Sequence, residues 1–264
     1  MRECRWCNST IRLGKGPAIR PEWLRWHCNS CCAFGYVNDP SSEELNKVYE
    51  TAWQDSNCSG TYATGSTDEK IGHSLLDAVR FAPLGVKCLD YGGGKGCFAK
   101  ALIEKGCACL TVFEPYAQNP GLSSVNWIND WNDLGRERFD WIFLIEVLEH
   151  MLNPQEELAE IRRHLSLGGK LLITTPNARG WRARVDRFNW REVQNPTHIN
   201  LFTELTLKNC LSKAGYSNVL RILKPVSYKA KGLKALALAM TQIIGVDGGL
   251  RFIATNSTTT ENNL

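Results

Sequence analysis

Between residues 86 and 176 the apolar positions follow two rhythms that take turns. Short continuous runs, "VKCLDY", "CLTVFEP", "SVNWI", "FDWIFLI" and "KLLITTP", have the length of strands buried on both faces, while "CFAKALIEKG" and "PQEELAEIRRHL" repeat at helical spacing. Strands alternating with helices predict a parallel sheet with helices on both faces. Two more strands are expected at "NVLRILKP" and "GGLRFIATNS", with "KGLKALALAMTQII" as a helix between them, which makes the sheet seven-stranded. Upstream, "NDPSSEELNKVYETAW" reads as a capped helix, "DSNCSGTYATGSTDEK" as a loop and "EKIGHSLLDAVRFAPL" as helical again. Before residue 38 the pattern is of short strands, with "LGKGP" and "RPEW" supplying turns. The boundaries expected are a small module at 1–38, a helical linker at 39–85 and the main domain at 86–264.

Composition changes this picture at the N-terminus. Cys4 and Cys7 form one CxxC pair, Cys28 and Cys31 another, with Cys32 as a competitor that fits the spacing less well. Two such turns supply four soft ligands for a tetrahedral zinc. About forty residues hold too small a core to fold alone, so the Zn2+ is expected to be structural. Arg2, Arg5, Arg12, Lys15, Arg20 and Arg25 lie among Trp6, Trp23 and Trp26. They suit an anion or stacked bases, or form a solvated face over a small core. The net charge of +4 is too modest for a generic polyanion binder. The longest apolar stretch, "ALALAMTQIIGV", is far short of the roughly 20 residues of a membrane span. With no export signal read at the N-terminus, the expectation is a soluble, cytoplasmic protein with no membrane partner.

"LDYGGGKG" joins the first strand of the main domain to its helix, and "VFEP" ends the second strand. Gly92, Gly94 and Gly96 let backbone approach a ligand, and Glu114 is placed to accept from two ribose hydroxyls. A glycine loop alone also fits nicotinamide dinucleotides. Asp90 separates the cases, since an acid before the loop takes an ammonium group and repels a pyrophosphate; no GK[ST] phosphate loop is present. A ligand with adenosine at one end and an ammonium at the other is S-adenosyl-L-methionine.

These segments resemble the class I S-adenosylmethionine-dependent methyltransferases. "LDYGGGKG" looks like their first motif, "VFEP" the second, and "FDWIFLIEVLEHMLNP" with "HLSLGGKLLITTPN" the fourth and fifth. "NPTHINLFTELTLKNCLSKAGY" is similar to the closing segment of the ubiquinone and sugar methyltransferase branch. The resemblance runs from about Asp68 onward, and it implies a Rossmann-like seven-stranded α/β fold beside the zinc ribbon. It assigns the methionine end to Asp90, Gly92, Gly94 and Gly96, the ribose to Glu114 with Pro115, and the adenine side to Asp130 and Trp131, with Ile145 closing the fourth strand.

Methyl transfer is an in-line displacement, so alignment matters most and a base is needed only for a protonated nucleophile. "EVLEH" offers Glu146, Glu149 and His150, whose i, i+3, i+4 spacing puts them on one side of a helical turn, and His198 in "NPTHINLF" is expected to converge there. Either a histidine is a general base, or the four hold a divalent ion such as Mg2+, a set similar to that of small-RNA terminal 2'-O-methyltransferases. Alternatively "EVLEH" only caps and packs its helix. "NARGWRARVDRFNWREVQNPTH" carries five arginines and three large aromatics, the composition of a lid over a phosphorylated or carrier-linked substrate, or of a solvated surface. The function expected is methyl transfer to an oxygen or carbon of a small anionic metabolite such as a nucleotide-linked sugar, with the ribbon as roof and Tyr49, Trp53 and Tyr62 as walls. The rivals are a nucleic-acid methyltransferase and a non-catalytic cofactor-binding scaffold.

Overall fold

The computed structural model describes residues 3–54, 65–224 and 232–257. Its main sheet is built from β4 (Lys87–Tyr91), β5 (Cys109–Phe113), β6 (Asn126–Ile128), β7 (Phe139–Ile145), β8 (Leu165–Pro176), β10 (Ser217–Arg221) and β11 (Gly249–Thr255), in the order β10-β11-β8-β7-β4-β5-β6. β4 to β8 run parallel, and β11 is antiparallel to both neighbours. The seven-stranded α/β sheet expected from the sequence is thus present.

Period two explains why these strands are buried on both faces. Leu89, Ile142, Leu144, Leu171 and Ile173 face one way, against α4 (Pro154–Arg163) and α7 (Glu204–Lys213). Cys88, Trp141, Phe143 and Leu172 face the other way, against α2 (Gly65–Ala78) and α3 (Cys97–Glu104). α2 begins inside the stretch expected to be a loop: "GSTDEK" is helical. A later helix, α8 (Gly232–Ile243), precedes β11.

The N-terminal strands β1 (Ile11–Gly14), β2 (Arg25–Cys28) and β3 (Phe34–Tyr36) form an antiparallel sheet with a fourth member from far along the chain, β9 (Asn200–Leu201). Phe34 pairs with Leu201 and Gly35 with Asn200. The small module is therefore laced into the main domain. Arg25 is not a surface residue but fully buried, and Trp26 packs with the cysteines.

The arginine-rich segment is not a loop, and it does not line the cleft as a lid would; its five arginines are exposed. It folds as α5 (Trp181–Asp186), a 3-10 turn at Arg187–Asn189 and α6 (Arg191–Gln194). Trp190, Val193 and Ala183 pack with Phe34 and Leu201, and Phe188 joins them from the side. α1 (Ser42–Gln54) does the roofing, over the carboxyl ends of the parallel strands.

Candidate active site

β4 neighbours β5 on one side and β7 on the other, so the sheet's direction of winding switches at its carboxyl end, where ligands of open α/β sheets sit. A cleft of about 290 Å³ opens there. Gly92 and Gly94 line it with φ of 75° and 55°, backbone that other residues rarely adopt. A Cβ on Gly92 would meet Val147 at 2.7 Å, so the loop needs glycine for space as well. The Gly92 and Gly93 N–H groups both donate to the Phe113 carbonyl, which stitches the loop to β5. Glu114 accepts from the Gly94 N–H at 2.8 Å and the Tyr116 N–H at 2.9 Å, and burial raises its carboxyl above the usual range. Pro115 and Tyr116 complete this wall.

Asp90 lies fully buried behind the loop, and its Oδ2 has no hydrogen-bond partner. Burial, then the charge of Glu114, pushes its carboxyl up to about 7. An orphaned buried oxygen and a cradle that a Cβ would fill fit a ligand carrying an ammonium group and a ribose diol. Gly96 caps α3 in the left-handed region rather than lining the cleft. Asp130 spends Oδ1 on the N–H of Asn132 and caps the 3-10 turn Trp131–Leu134. Trp131 packs among Tyr91, Phe113 and His164, and Ile145 against the sheet's second core face. Those three residues do not line the cleft.

The four expected acceptor-side residues stand in two layers. Glu146 and His150 line the cleft; Glu149 and His198 are buried behind them. The separation arises at Glu146, which has φ 57°, so "EVLEH" is not a continuous helical turn. Only Leu148–His150 forms a 3-10 turn, while the Glu146 N–H donates to the Thr174 carbonyl. Glu149 accepts from the Thr175 hydroxyl at 2.8 Å through Oε2, and its Oε1 has no partner. Burial, then Glu146's charge, holds its carboxyl well above the usual range. His150 Nδ1 lies 3.0 Å from the Thr197 carbonyl and 3.0 Å from the Tyr49 hydroxyl. A carbonyl only accepts, so Nδ1 carries the proton and Nε2, 4.0 Å from Glu149 Oε1, is the lone-pair side. Burial lowers His150 to about 4. His198 sits 4.8 Å from it, ring to ring, and is also held neutral, by burial and then the charges of His150 and Arg25. Ligand atoms of Glu149, His150 and His198 all lie within 4.8 Å of one another; Glu146 is outside that group.

α1 supplies residues the sequence reading passed over. Ser42, Leu45 and Asn46 line the cleft beside Tyr49, which stacks on Tyr116 at 4.9 Å, and the Tyr116 hydroxyl donates to Asn46. The signal available for Tyr116 was its place two residues after the strand-ending acid. Of the expected walls, Tyr49 lines the cleft, the Trp53 side chain and Tyr62 lie outside the described residues, and the ribbon contributes no lining side chain.

Cys4, Cys7, Cys28 and Cys31 place their sulfurs within 4.8 Å of one another. The Cys4–Cys31 and Cys7–Cys28 separations are 3.6 and 3.5 Å, near the about 3.8 Å that tetrahedral Zn–S bonds dictate. N–H groups of Trp6 and Cys31 point at the sulfurs of Cys4 and Cys28. Cys32, at φ 63°, is outside the group. The residues fit a zinc.

Comparison with known proteins places this geometry. A tRNA U34 carboxymethyltransferase of Dichelobacter nodosus (strain VCS1703A) is 33% identical over 112 residues, covering 38% of this chain and 36% of that protein. The chain thus spans about a third of that relative's length. The structure of a Burkholderia thailandensis 1,6-didemethyltoxoflavin-N1-methyltransferase with bound S-adenosylhomocysteine aligns with TM-score 0.57 at 16% identity, over 88% of this chain and 99% of that one. An Archaeoglobus fulgidus SAM-dependent methyltransferase aligns with TM-score 0.52 at 15% identity, over 71% and 94%. These two likenesses show the fold. Residues 65–221, more than half of the sequence, match the family described as a methyltransferase domain. Among the described residues no helix is long and apolar enough to cross a membrane. From the family match, on a sheet that carries the glycine loop and its paired acids, this chain belongs to the methyltransferase-domain family.

Proposed function

We propose that the protein transfers a methyl group from S-adenosylmethionine to an oxygen, or a carbon, of a small metabolite; the arginines expected to meet an anion do not line the cleft, whose charged side chains are Glu114, Glu146 and Glu157. The observation that carries this reading is the roof: α1 lays Asn46 and Tyr49 over the cleft, with Tyr49 bonded to His150 and stacked on Tyr116. A roofed cleft suits a small acceptor better than a folded nucleic acid. Asp90, Gly92 and Gly94 would hold the methionine end, Glu114 and Pro115 the ribose, with Gly96 anchoring the loop and Asp130, Trp131 and Ile145 backing the adenine side. When bound, the cofactor supplies a methyl group already activated on a sulfonium. Glu146 and His150 orient the acceptor, and the Glu146 carboxylate on the cleft wall takes the hydroxyl proton. A hydroxyl oxygen gaining a methyl becomes far more acidic, so a base as weak as a carboxylate suffices. Glu149 and His198 fix His150 from behind. A structural zinc on Cys4, Cys7, Cys28 and Cys31 completes the assignment, with the ribbon at 1–38, the cleft-roofing linker at 39–85 and the methyltransferase domain at 86–264.

One observation favours a second reading. Glu149, His150 and His198 form a compact donor set in which Glu149 Oε1 has no hydrogen-bond partner, while His198 Nδ1 stands 3.4 Å from Glu192 Oε2. Held there, a divalent ion would acidify a vicinal hydroxyl, as on an RNA end. One carboxylate and two imidazoles suit Mn2+, Fe2+ or Zn2+ better than Mg2+. The tRNA relative points the same way.

The test is S-adenosylhomocysteine release against nucleotide sugars, phenolic acids and short RNAs, with Mg2+, with Mn2+ and with chelator. The first reading expects metal-independent turnover on a small molecule. Chelator-sensitive turnover on RNA ends would replace it with the second, and cofactor binding without turnover on any acceptor would leave a scaffold.

A further inference from the structure

Arg25 is a fully buried arginine, and among the described residues no carboxylate reaches its guanidinium. Its Nη1 donates to the His198 carbonyl at 2.5 Å and its Nη2 to the Asn195 carbonyl at 2.8 Å, while the guanidinium lies 3.5 Å from the centre of the Tyr36 ring. Tyr36 is its cross-strand partner between β2 and β3, and the Tyr36 hydroxyl donates to the Pro196 carbonyl at 2.9 Å. One residue pair of the cysteine module thus receives the carbonyls of 195, 196 and 198. The intervening carbonyl, Thr197, points the other way and accepts from His150. The next N–H, Ile199, donates to the Glu149 carbonyl, and Asn200 reaches the Met151 carbonyl while accepting from Arg5 of the module. Along residues 195–200, contacts to the module are interleaved with contacts to the 149–151 turn beside the cleft. β2 itself ends on Cys28, one of the four sulfur ligands.

Burying an arginine away from water costs several kcal/mol, which an aliphatic residue at a packing position would not incur. Its planar fork can grip two carbonyls at a fixed separation.

We infer that the cysteine module is the jig that sets the acceptor-side histidines, with Arg25 as a positioning residue for His198 and, through the Thr197 carbonyl, for His150. The cofactor side is outside this linkage: the glycine loop and Glu114 are held by β4 and β5. The inference rests on assigning His150 and His198 to the acceptor, but its test does not need an acceptor.

The chain has five histidines, so long-range imidazole 1H–15N spectra resolve each ring. Arg25→Met removes the fork and keeps the bulk; Arg25→Lys keeps the charge and loses the fork. Both are compared with the full-length protein for zinc content, S-adenosylhomocysteine affinity by calorimetry and imidazole spectra. The expected result is one zinc retained, affinity within twofold, and His150 and His198 signals displaced while His73 and His164 stay in place. Turnover, once an acceptor is found, falls at least tenfold through kcat. If Arg25→Met does not fold, Arg25→Lys decides. Native His150 and His198 signals in the folded variants overturn the inference, as does a change in all rings together with lost cofactor affinity. Displaced signals with unchanged turnover would leave the positioning role standing and remove the histidines from the chemistry.

Discussion

At Asp90 the protein holds an acid where water cannot reach it, behind glycines that leave its Oδ2 without a donor. With its carboxyl pushed up to about 7, the group is largely protonated on the acid side of neutrality. The sign for binding follows: an ammonium is attracted only by the carboxylate, so cofactor affinity rises as pH rises through about 7 and weakens below it, by up to about tenfold per pH unit. Calorimetry with S-adenosylhomocysteine at pH 6, 7 and 8 checks this, and Asp90→Asn is expected to bind more weakly with a flat profile. Glu146 presents a different residue-scale feature, a side chain at φ 57° at the mouth of the cleft. Glycine tolerates that backbone and a β-branched residue does not, so Glu146→Val is expected to be about 1–2 kcal/mol less stable than Glu146→Gly in urea unfolding. Asp90, Glu114 and the glycines were legible in the sequence because strand, turn and helix are contiguous there. The two-layered arrangement of "EVLEH" was not, because helical spacing assumes right-handed backbone at each position and Glu146 breaks it.

At the scale of elements, α5 and α6 show what composition conceals. Five arginines and three aromatics read as a lid or a solvated surface; the arginines are exposed, while Trp190 and Phe188 turn onto Phe34 of β3. Nothing local announces a partner more than 150 residues away. Trp190→Ala empties a position that is 5% exposed and is expected to cost about 3–5 kcal/mol. Phe34→Ala opens the same cluster, so the double variant should fall short of the sum of the two, measured by equilibrium unfolding. α1 carries the converse lesson. Its capped helix was readable, but its face meets the cleft because Tyr49 finds His150 and Tyr116, contacts that belong to tertiary structure.

For the whole molecule, the α/β class follows from alternating strands and helices, and the sequence signals it strongly because the central strands β4, β5 and β7 are buried on both faces. The four-stranded sheet was hidden, since β9 is two residues long and carries no strand signal of its own. Its pairing ties the cysteine module to the main domain. Calorimetry is expected to show a single transition, and chelation of the zinc proposed for the four cysteines to lower that transition as a whole rather than reveal a separate one.

The β3–β9 ladder also bears on how such a protein can be recombined. A chimera that exchanges the first 38 residues between relatives would bring in a new β2–β3 hairpin facing carbonyls it was never matched to. The heritable unit is discontinuous, the module together with residues 195–201, and hybrids cut at both places should keep an acceptor preference that hybrids cut once will scramble.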